Sequence, residues 1–435
     1  MTAPPIPFCE GFAYILFAET LTGGILRVGN TPYGLPRCDR YRRLAVMVTK
    51  RIQRITSANQ ALLSFLPIWE EHRHQPGIAD LAFGNPQETV VDGFASALTS
   101  ATTPLDKNHY AYKFSEVESQ RTVANHLLEW RGQTFDPEDI AMTPGAFGAI
   151  AISLGALVDV GDEVVYFDPP WFFYRSMILS AAATPVNVPV RSDDYDLDLD
   201  RLAAAITEKT RLLIVNTPHN PTGRIYPPST LEGLADVLTD ASERFGRPIY
   251  LLSDEPYSKL VFSDAKFTSP AEYYPHTLIS YSYGKILLTP GQRVGWLAWT
   301  PRMPDRESLR SEVFMAQIAG GWLFPSAIMQ YSMAELDKLS IDLVELERKR
   351  DVFVTELQQA GYELQSPEGA FYLWVRSPDP DDAVFAEAVA KQGVLVLPGS
   401  TCASPGHFRI SLTGTMEMIE RGLPVFRKAI SSPAS

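Results

Sequence analysis

From about residue 135, short apolar runs alternate with stretches of helical period. Ile140–Thr143 reads as a strand that runs into Pro144-Gly145-Ala146-Phe147-Gly148, and 149–157 has helical spacing. After a turn at Gly161, the apolar run 164–167 is a strand. A helix is expected over 173–183, a strand over 185–190, a helix over 198–207 and a buried-type strand over 211–215. An amphipathic helix over 229–245 and strands over 249–252 and 277–281 continue the series. Short apolar strands alternating with helices argue for a mostly parallel sheet covered on both faces. The strand over 293–299 reads as an antiparallel addition. Beyond about residue 305 the rhythm changes. A long helical stretch over 340–360 and strands over 369–375 and 408–412 suit a smaller α+β domain.

The first 45 or so residues break the pattern, being rich in Gly, Pro and Arg without sustained periodicity. Between Arg27 and Arg54 stand eight basic residues and one acid, Asp39. A basic arm is one reading. The preferred one is that translation starts at Met47, followed by a helix over 50–69. The expected division is an extension (1–46), the first part of a small domain with its linker (47–105), a large domain (106–310) and a C-terminal small domain (311–435).

Composition narrows the function classes. The 435 residues are 45% hydrophobic and 20% charged, which is ordinary globular material for one or two packed domains. A net charge of −13 is a poor match for nucleic acid, whose binding rests on Lys and Arg neutralising phosphates. Cys9, Cys38 and Cys402 have neither paired spacing nor histidines at metal-ligand spacing, so no metal site or disulfide framework is expected, and a cytoplasmic setting fits. No run of about 18 apolar residues suggests a membrane span.

Chemistry concentrates where strands end. In open α/β sheets, ligands bind beyond the carboxyl ends of the strands. The segment 216–223 follows one strand, Ser253-Asp254-Glu255-Pro256-Tyr257 the next, and 280–285 a third. An amide, a carboxylate with a tyrosine, and a lysine thus arrive at one edge. Pyridoxal phosphate needs such a set. A lysine amine can form a Schiff base with its aldehyde, a carboxylate can keep its ring nitrogen protonated, and an amide can bond its phenolic oxygen. Backbone N–H groups at a glycine-rich helix start can take the phosphate.

Asn220-Pro221-Thr222-Gly223, Asp254-Glu255-Pro256-Tyr257, Ser282-Tyr283-Gly284-Lys285 and Arg293-Val294-Gly295, in this order, resemble the class I/II aminotransferases of fold type I, the aspartate aminotransferase superfamily. The match in order and spacing runs from about residue 78 to 428. The resemblance implies an α/β fold with a mostly parallel sheet of the seven-stranded type, pyridoxal phosphate as cofactor, and amino-group transfer between an α-amino acid and an α-keto acid. Decarboxylation, elimination or replacement, and oxidation are alternatives on the same scaffold, and a non-catalytic regulator is a more distant one.

The resemblance also implies residue roles. Lys285 would be the Schiff-base lysine and proton carrier, Asp254 the partner of the ring nitrogen, and Asn220 and Tyr257 the partners of the phenolic oxygen. Gly145, Ala146 and Phe147 would cradle the phosphate, with Ser282 and Arg293 as side-chain donors. Trp171 would stack on the ring, its neighbour Phe172 being the residue it could be confused with. Arg409 would grip the substrate carboxylate as a planar fork, with Gly84 close by. Tyr110 or Tyr112 would reach the phosphate of a neighbouring subunit, which implies a homodimer; the glycine expected shortly after is replaced by the 115–118 segment. The region 320–326 offers no arginine for a second carboxylate, so strict aspartate preference is not expected. Trp322, Phe324, Phe12 and Tyr14 hint at an apolar pocket, and Arg175 and Lys113 are further candidates to enter the site.

Overall fold

A computed structural model describes residues 48–431. The expectations on 1–46, on a start at Met47, and on Cys9, Cys38, Phe12 and Tyr14 lie outside the described residues. From Thr49 onward the chain forms one compact unit.

Among the described residues there are twelve strands: β1 (Ala79–Asp80), β2 (Ile140–Thr143), β3 (Glu163–Asp168), β4 (Thr184–Pro189), β5 (Thr210–Asn216), β6 (Tyr250–Asp254), β7 (Thr277–Ser282), β8 (Gly295–Trp299), β9 (Tyr372–Arg376), β10 (Val394–Leu395), β11 (Leu397–Pro398) and β12 (His407–Ser411). Seven form one sheet in the order β2-β8-β7-β6-β5-β3-β4. Neighbours from β4 to β7 are parallel, and β8 runs antiparallel to both β2 and β7. The expected antiparallel strand therefore lies inside the sheet. A second sheet, β11-β12-β9, is antiparallel. β1 pairs with β10, joining an early segment to a late one.

The apolar strands follow the two-residue period of side-chain direction. Val164, Tyr166, Leu212 and Ile214 pack on one face with the helix Ala146–Leu157, while Val165, Phe167, Leu213 and Val215 pack on the other with Leu231, Leu234 and Leu238 of the helix Pro228–Phe245. Burial on both faces is why these strands read as continuous apolar runs.

Three helix expectations change. The run 50–69 is two helices, Lys50–Ala58 and Gln60–His72. They break at Asn59, whose side-chain amide donates to the Ile55 carbonyl (2.7 Å) and Ser176 Oγ (2.6 Å). Such local side-chain bonds compete with the helix ladder. The helix expected over 173–183 is Tyr174–Ser180, ended where Ala182 turns left-handed at φ +60. The stretch expected over 340–360 starts at Leu343, because Asp342 caps the Val344 and Glu345 N–H groups. The helices Val117–Arg131, Arg306–Gly320 and Met416–Ser431 were not expected from the sequence. Among the described residues, no helix is long and apolar enough to cross a membrane.

Candidate functional site

Strand register builds the site. Asn216 at the end of β5 pairs with Asp254 at the end of β6, and Asp254 with Ser280 on β7. The turns after these strands are therefore adjacent. One cleft is lined by Asn216, Asn220, Asp254, Tyr257, Ser282, Lys285 and Arg293, with Ala146, Phe147 and Trp171 on the remaining sides.

Glycine shapes the wall below. Gly145 has φ +80 and caps the helix Ala146–Leu157. A Cβ there would lie 3.0 Å from Arg293 Nη2. Arg293 itself is left-handed at φ +51 and donates to the carbonyls of Pro144 (2.9 Å) and Pro290 (2.8 Å). The guanidinium thus lies over a helix start whose first N–H groups have no carbonyl partner within the helix, an arrangement suited to an anion. Ser282 stands buried at the cap of the short helix Tyr283–Ile286 that carries Lys285.

Asp254 is 3% exposed. Burial pushes its carboxyl up to about 6, although the Tyr174 hydroxyl and Ser280 pull it back. Tyr174 donates to Oδ2. Oδ1 is buried without a partner in the protein. A buried acceptor of this kind requires a donor, and a protonated ring nitrogen supplies one.

Asn220 is 2% exposed, and its backbone N–H is held by Asn216 Oδ1 at 2.7 Å. Its Oδ1 accepts from Arg409 Nη1 at 2.9 Å, so its amide group is what it offers the cleft as a donor. Arg409 donates also to the Ala82 carbonyl (3.1 Å), and its guanidinium lies 4.0 Å from the Tyr372 ring centre. Its Nε is buried without a partner. Tyr257 reaches the Tyr372 hydroxyl at 3.4 Å. Burial holds the Tyr257 phenol well above its ordinary range, as a neutral donor. Lys285 Nζ lies 5.6 Å and 5.5 Å from the Tyr257 and Phe371 rings. Gly84 is tight for a stated reason: a Cβ would come within 2.5 Å of the Tyr372 hydroxyl.

The structure places Trp171 in the cleft, packed edge-on against Phe147 at 5.4 Å, whereas Phe172 lies 5.9 Å from the Arg409 guanidinium. Tyr110 and Tyr112 are outside this cleft. Tyr110 donates to the Thr102 carbonyl, and Tyr112, 85% exposed, packs on Phe324 at 4.7 Å. Phe324 belongs to that exposed cluster, and Trp322 packs at the rim of the core beneath the helix Ala146–Leu157. The candidates Arg175 and Lys113 do not line the cleft. Arg175 is exposed, and Lys113 faces Glu116 (3.8 Å) and the Tyr331 ring (5.6 Å). Two side chains at the centre escaped the sequence reading. Tyr174 sits in an aromatic run and Tyr372 in an apolar strand, where both read as packing.

These donors fit pyridoxal phosphate: an anion cradle at one end, a buried acceptor at the other, an amide and a phenol between, and a lysine within the cleft. The comparison with known proteins agrees. The family model described as aminotransferase class I and II matches residues 80–426, and the chain belongs to this family. A probable aspartate/prephenate aminotransferase of Thermus aquaticus is 30% identical over 334 residues, covering 74% of this chain and 84% of its own. An aromatic-amino-acid aminotransferase of Thermococcus litoralis is 28% identical, covering 81% of this chain and 92% of its own. The crystal structure of an amino transferase from Eubacterium rectale superposes with a TM-score of 0.82 at 28% identity, over 89% of this chain and 99% of its own. The chain is thus a pyridoxal phosphate-dependent enzyme that moves an amino group between amino and keto acids.

Proposed function

We propose that Lys285 is the lysine that carries the cofactor and moves the proton, and that Arg409, Gly84 and Asn220 receive the substrate α-carboxylate. The observation that carries this reading is the convergence of Asn220, Asp254 and Lys285 from three adjacent strand ends on one cleft. When bound, pyridoxal phosphate supplies an aldehyde that condenses with amines and a ring that withdraws electrons. The chain's residues do the rest. Asp254 Oδ1 holds a proton on the ring nitrogen. Asn220 and Tyr257 donate to the phenolic oxygen, and Trp171 stacks on the ring. Gly145, Ala146, Phe147, Ser282 and Arg293 bind the phosphate. With the cofactor bound, Lys285 Nζ would be the group that takes the proton from the substrate Cα and passes it on.

We further assign the active unit to a homodimer in which Tyr110 or Tyr112 reaches the partner's phosphate, and its compartment to the cytoplasm. The exposed cluster of Tyr112, Phe114 and Phe324 supports an association surface, since large apolar side chains grouped in solvent mark contact sites. The division at 47–105, 106–310 and 311–435 stays our domain assignment. Neutral and aromatic amino acids are proposed as substrates, with no strict preference for aspartate. Phe172 stands beside Arg409, and the cations lining the cleft among the described residues are Lys285 and Arg293.

Absorbance of the purified protein tests the reading. The bound cofactor gives a visible band, which amino acid substrates bleach. Lys285→Ala is expected to abolish the protein-linked band and lower turnover by about ten-thousand-fold, the upper range for a proton-transfer group. A band and turnover retained in Lys285→Ala would overturn the assignment. A large kcat/KM advantage of aspartate over phenylalanine would overturn the substrate proposal.

A further inference from the structure

Asp254 has two oxygens in different situations. Oδ2 accepts from Tyr174, and Oδ1 has no partner in the protein. Tyr174 comes from a distant part of the chain, at the start of the helix Tyr174–Ser180. It is 3% exposed. Its ring is wedged edge-on against Trp171 at 5.3 Å, and its helix is tied through Ser176 to Asn59. The hydroxyl therefore has little freedom to leave the carboxylate.

We propose that Tyr174 is a positioning residue for amino-group transfer: it grips Oδ2, aims Oδ1 at the ring nitrogen and keeps the carboxylate charged. This rests on the reading of Asp254 as the ring-nitrogen partner. The other groups around Asp254 cannot replace it. Asn216, the last residue of β5, and Thr217, which follows it, bond only its backbone carbonyl, at 2.8 Å and 3.2 Å. Glu255, next in sequence, disfavours a second charge, and its own carboxylate is taken by Arg131, Ser253 and Ser269. Ser280 and Lys285, on and after β7, favour the charged form more weakly than Tyr174 does. Tyr257 and Tyr226 face Tyr174 as neutral phenols.

The test compares Tyr174→Phe with Asp254→Asn in the holoenzyme and in apoenzyme titrated with pyridoxal phosphate. The readouts are the acid limb of the kcat/KM profile and the pH dependence of cofactor affinity. Tyr174→Phe removes a hydrogen bond to a charged group, so the acid limb is expected to move up by about one pH unit. Cofactor affinity should weaken below neutrality and recover at alkaline pH. Tyr174→3-fluorotyrosine keeps the shape with a stronger donor, and its limb should move down. An unmoved limb in both variants, or a pH-independent loss of affinity in Tyr174→Phe, would overturn the proposal. Those results with a strongly impaired Asp254→Asn sink the role of Tyr174 alone. Wild-type behaviour of Asp254→Asn sinks the reading of Asp254 itself.

Discussion

Asp254 and Asp337 are largely buried carboxylates near the segment that carries Lys285, yet their pKa values are shifted in opposite directions. Asp254 lines the cleft beside Lys285, and Asp337 contacts the segment through the Tyr283 hydroxyl at 2.8 Å. Burial raises both. At Asp337 it is outweighed by a His126 hydrogen bond (3.1 Å), the Lys259 ammonium (3.3 Å) and the Tyr283 hydroxyl, which hold the carboxyl at about 2. At Asp254 burial wins, and the carboxyl rises to about 6 with one oxygen unpartnered. The same residue type is complete in one place and left wanting in the other. Perturbed carboxylates in a cleft are where chemistry is expected, because unspent interaction is available there for a ligand.

The sharpest break of this comparison uses amide substitutions at both sites. Asp254→Asn should lower kcat by about a thousand-fold, within the range for losing an electrostatic group at the reacting centre. Asp337→Asn should leave kcat of the folded enzyme within a few-fold and cost about 3–5 kcal/mol of stability, since it strands Lys259 in a buried site. Steady-state kinetics and urea unfolding separate the two. A Asp337→Asn enzyme that unfolds normally but turns over slowly would erase the distinction.

The pH dependence of apoprotein stability should also diverge. The pKa of Asp254 is raised from 3.8 to about 6, so its proton is bound more tightly in the folded state. Stability is lost as pH rises from about 4 to 6, by about 3 kcal/mol. Asp254→Asn should therefore stabilise the apoprotein at pH 7, with the gain gone below about pH 4. Asp337 is lowered from 3.8 to about 2. Its contribution of about 2 kcal/mol is present above pH 4 and lost as pH falls through 2. Thermal unfolding of apoprotein across pH 3–8 reads the first effect directly; no gain for Asp254→Asn at pH 7 would contradict it.

The two carboxylates also differ in how visible they were from sequence. Asp254 was legible because strand, acid and turn are consecutive, and adjacent strands bring Asn220 and Lys285 alongside. Asp337 was not, because its partners come from the helix Val117–Arg131, from Lys259 and from Tyr283, which only the folded chain assembles. Tyr174 was hidden for the same reason, meeting Asp254 across 80 residues. Its type is equally at home in a core, so a tyrosine within the aromatic run 171–174 carries no local mark of a hydrogen bond. The sheet was legible from apolar runs. The break at Asn59 depends on a contact with Ser176, 117 residues away, which no local pattern encodes.

The smallest effect tests whether the three partners of Asp337 are redundant. Lys259 is itself pushed below its ordinary range by burial, partly countered by Asp337. The pair therefore gives up some of its attraction to desolvation, as buried pairs do. Lys259→Met removes the ammonium and keeps the stem, leaving Asp337 with His126 and Tyr283. The expected cost is about 1 kcal/mol, the scale of a single polar interaction, with turnover unchanged. The midpoint of urea unfolding measures it. If Lys259→Met costs as much as Asp337→Asn, the partners are not redundant and the carboxylate depends on one cation. If it costs little while Asp337→Asn costs several-fold more, the charge of Asp337 is held by the cluster as a whole. Only in that case is the contrast with Asp254, whose carboxylate leans chiefly on Tyr174, a difference in kind.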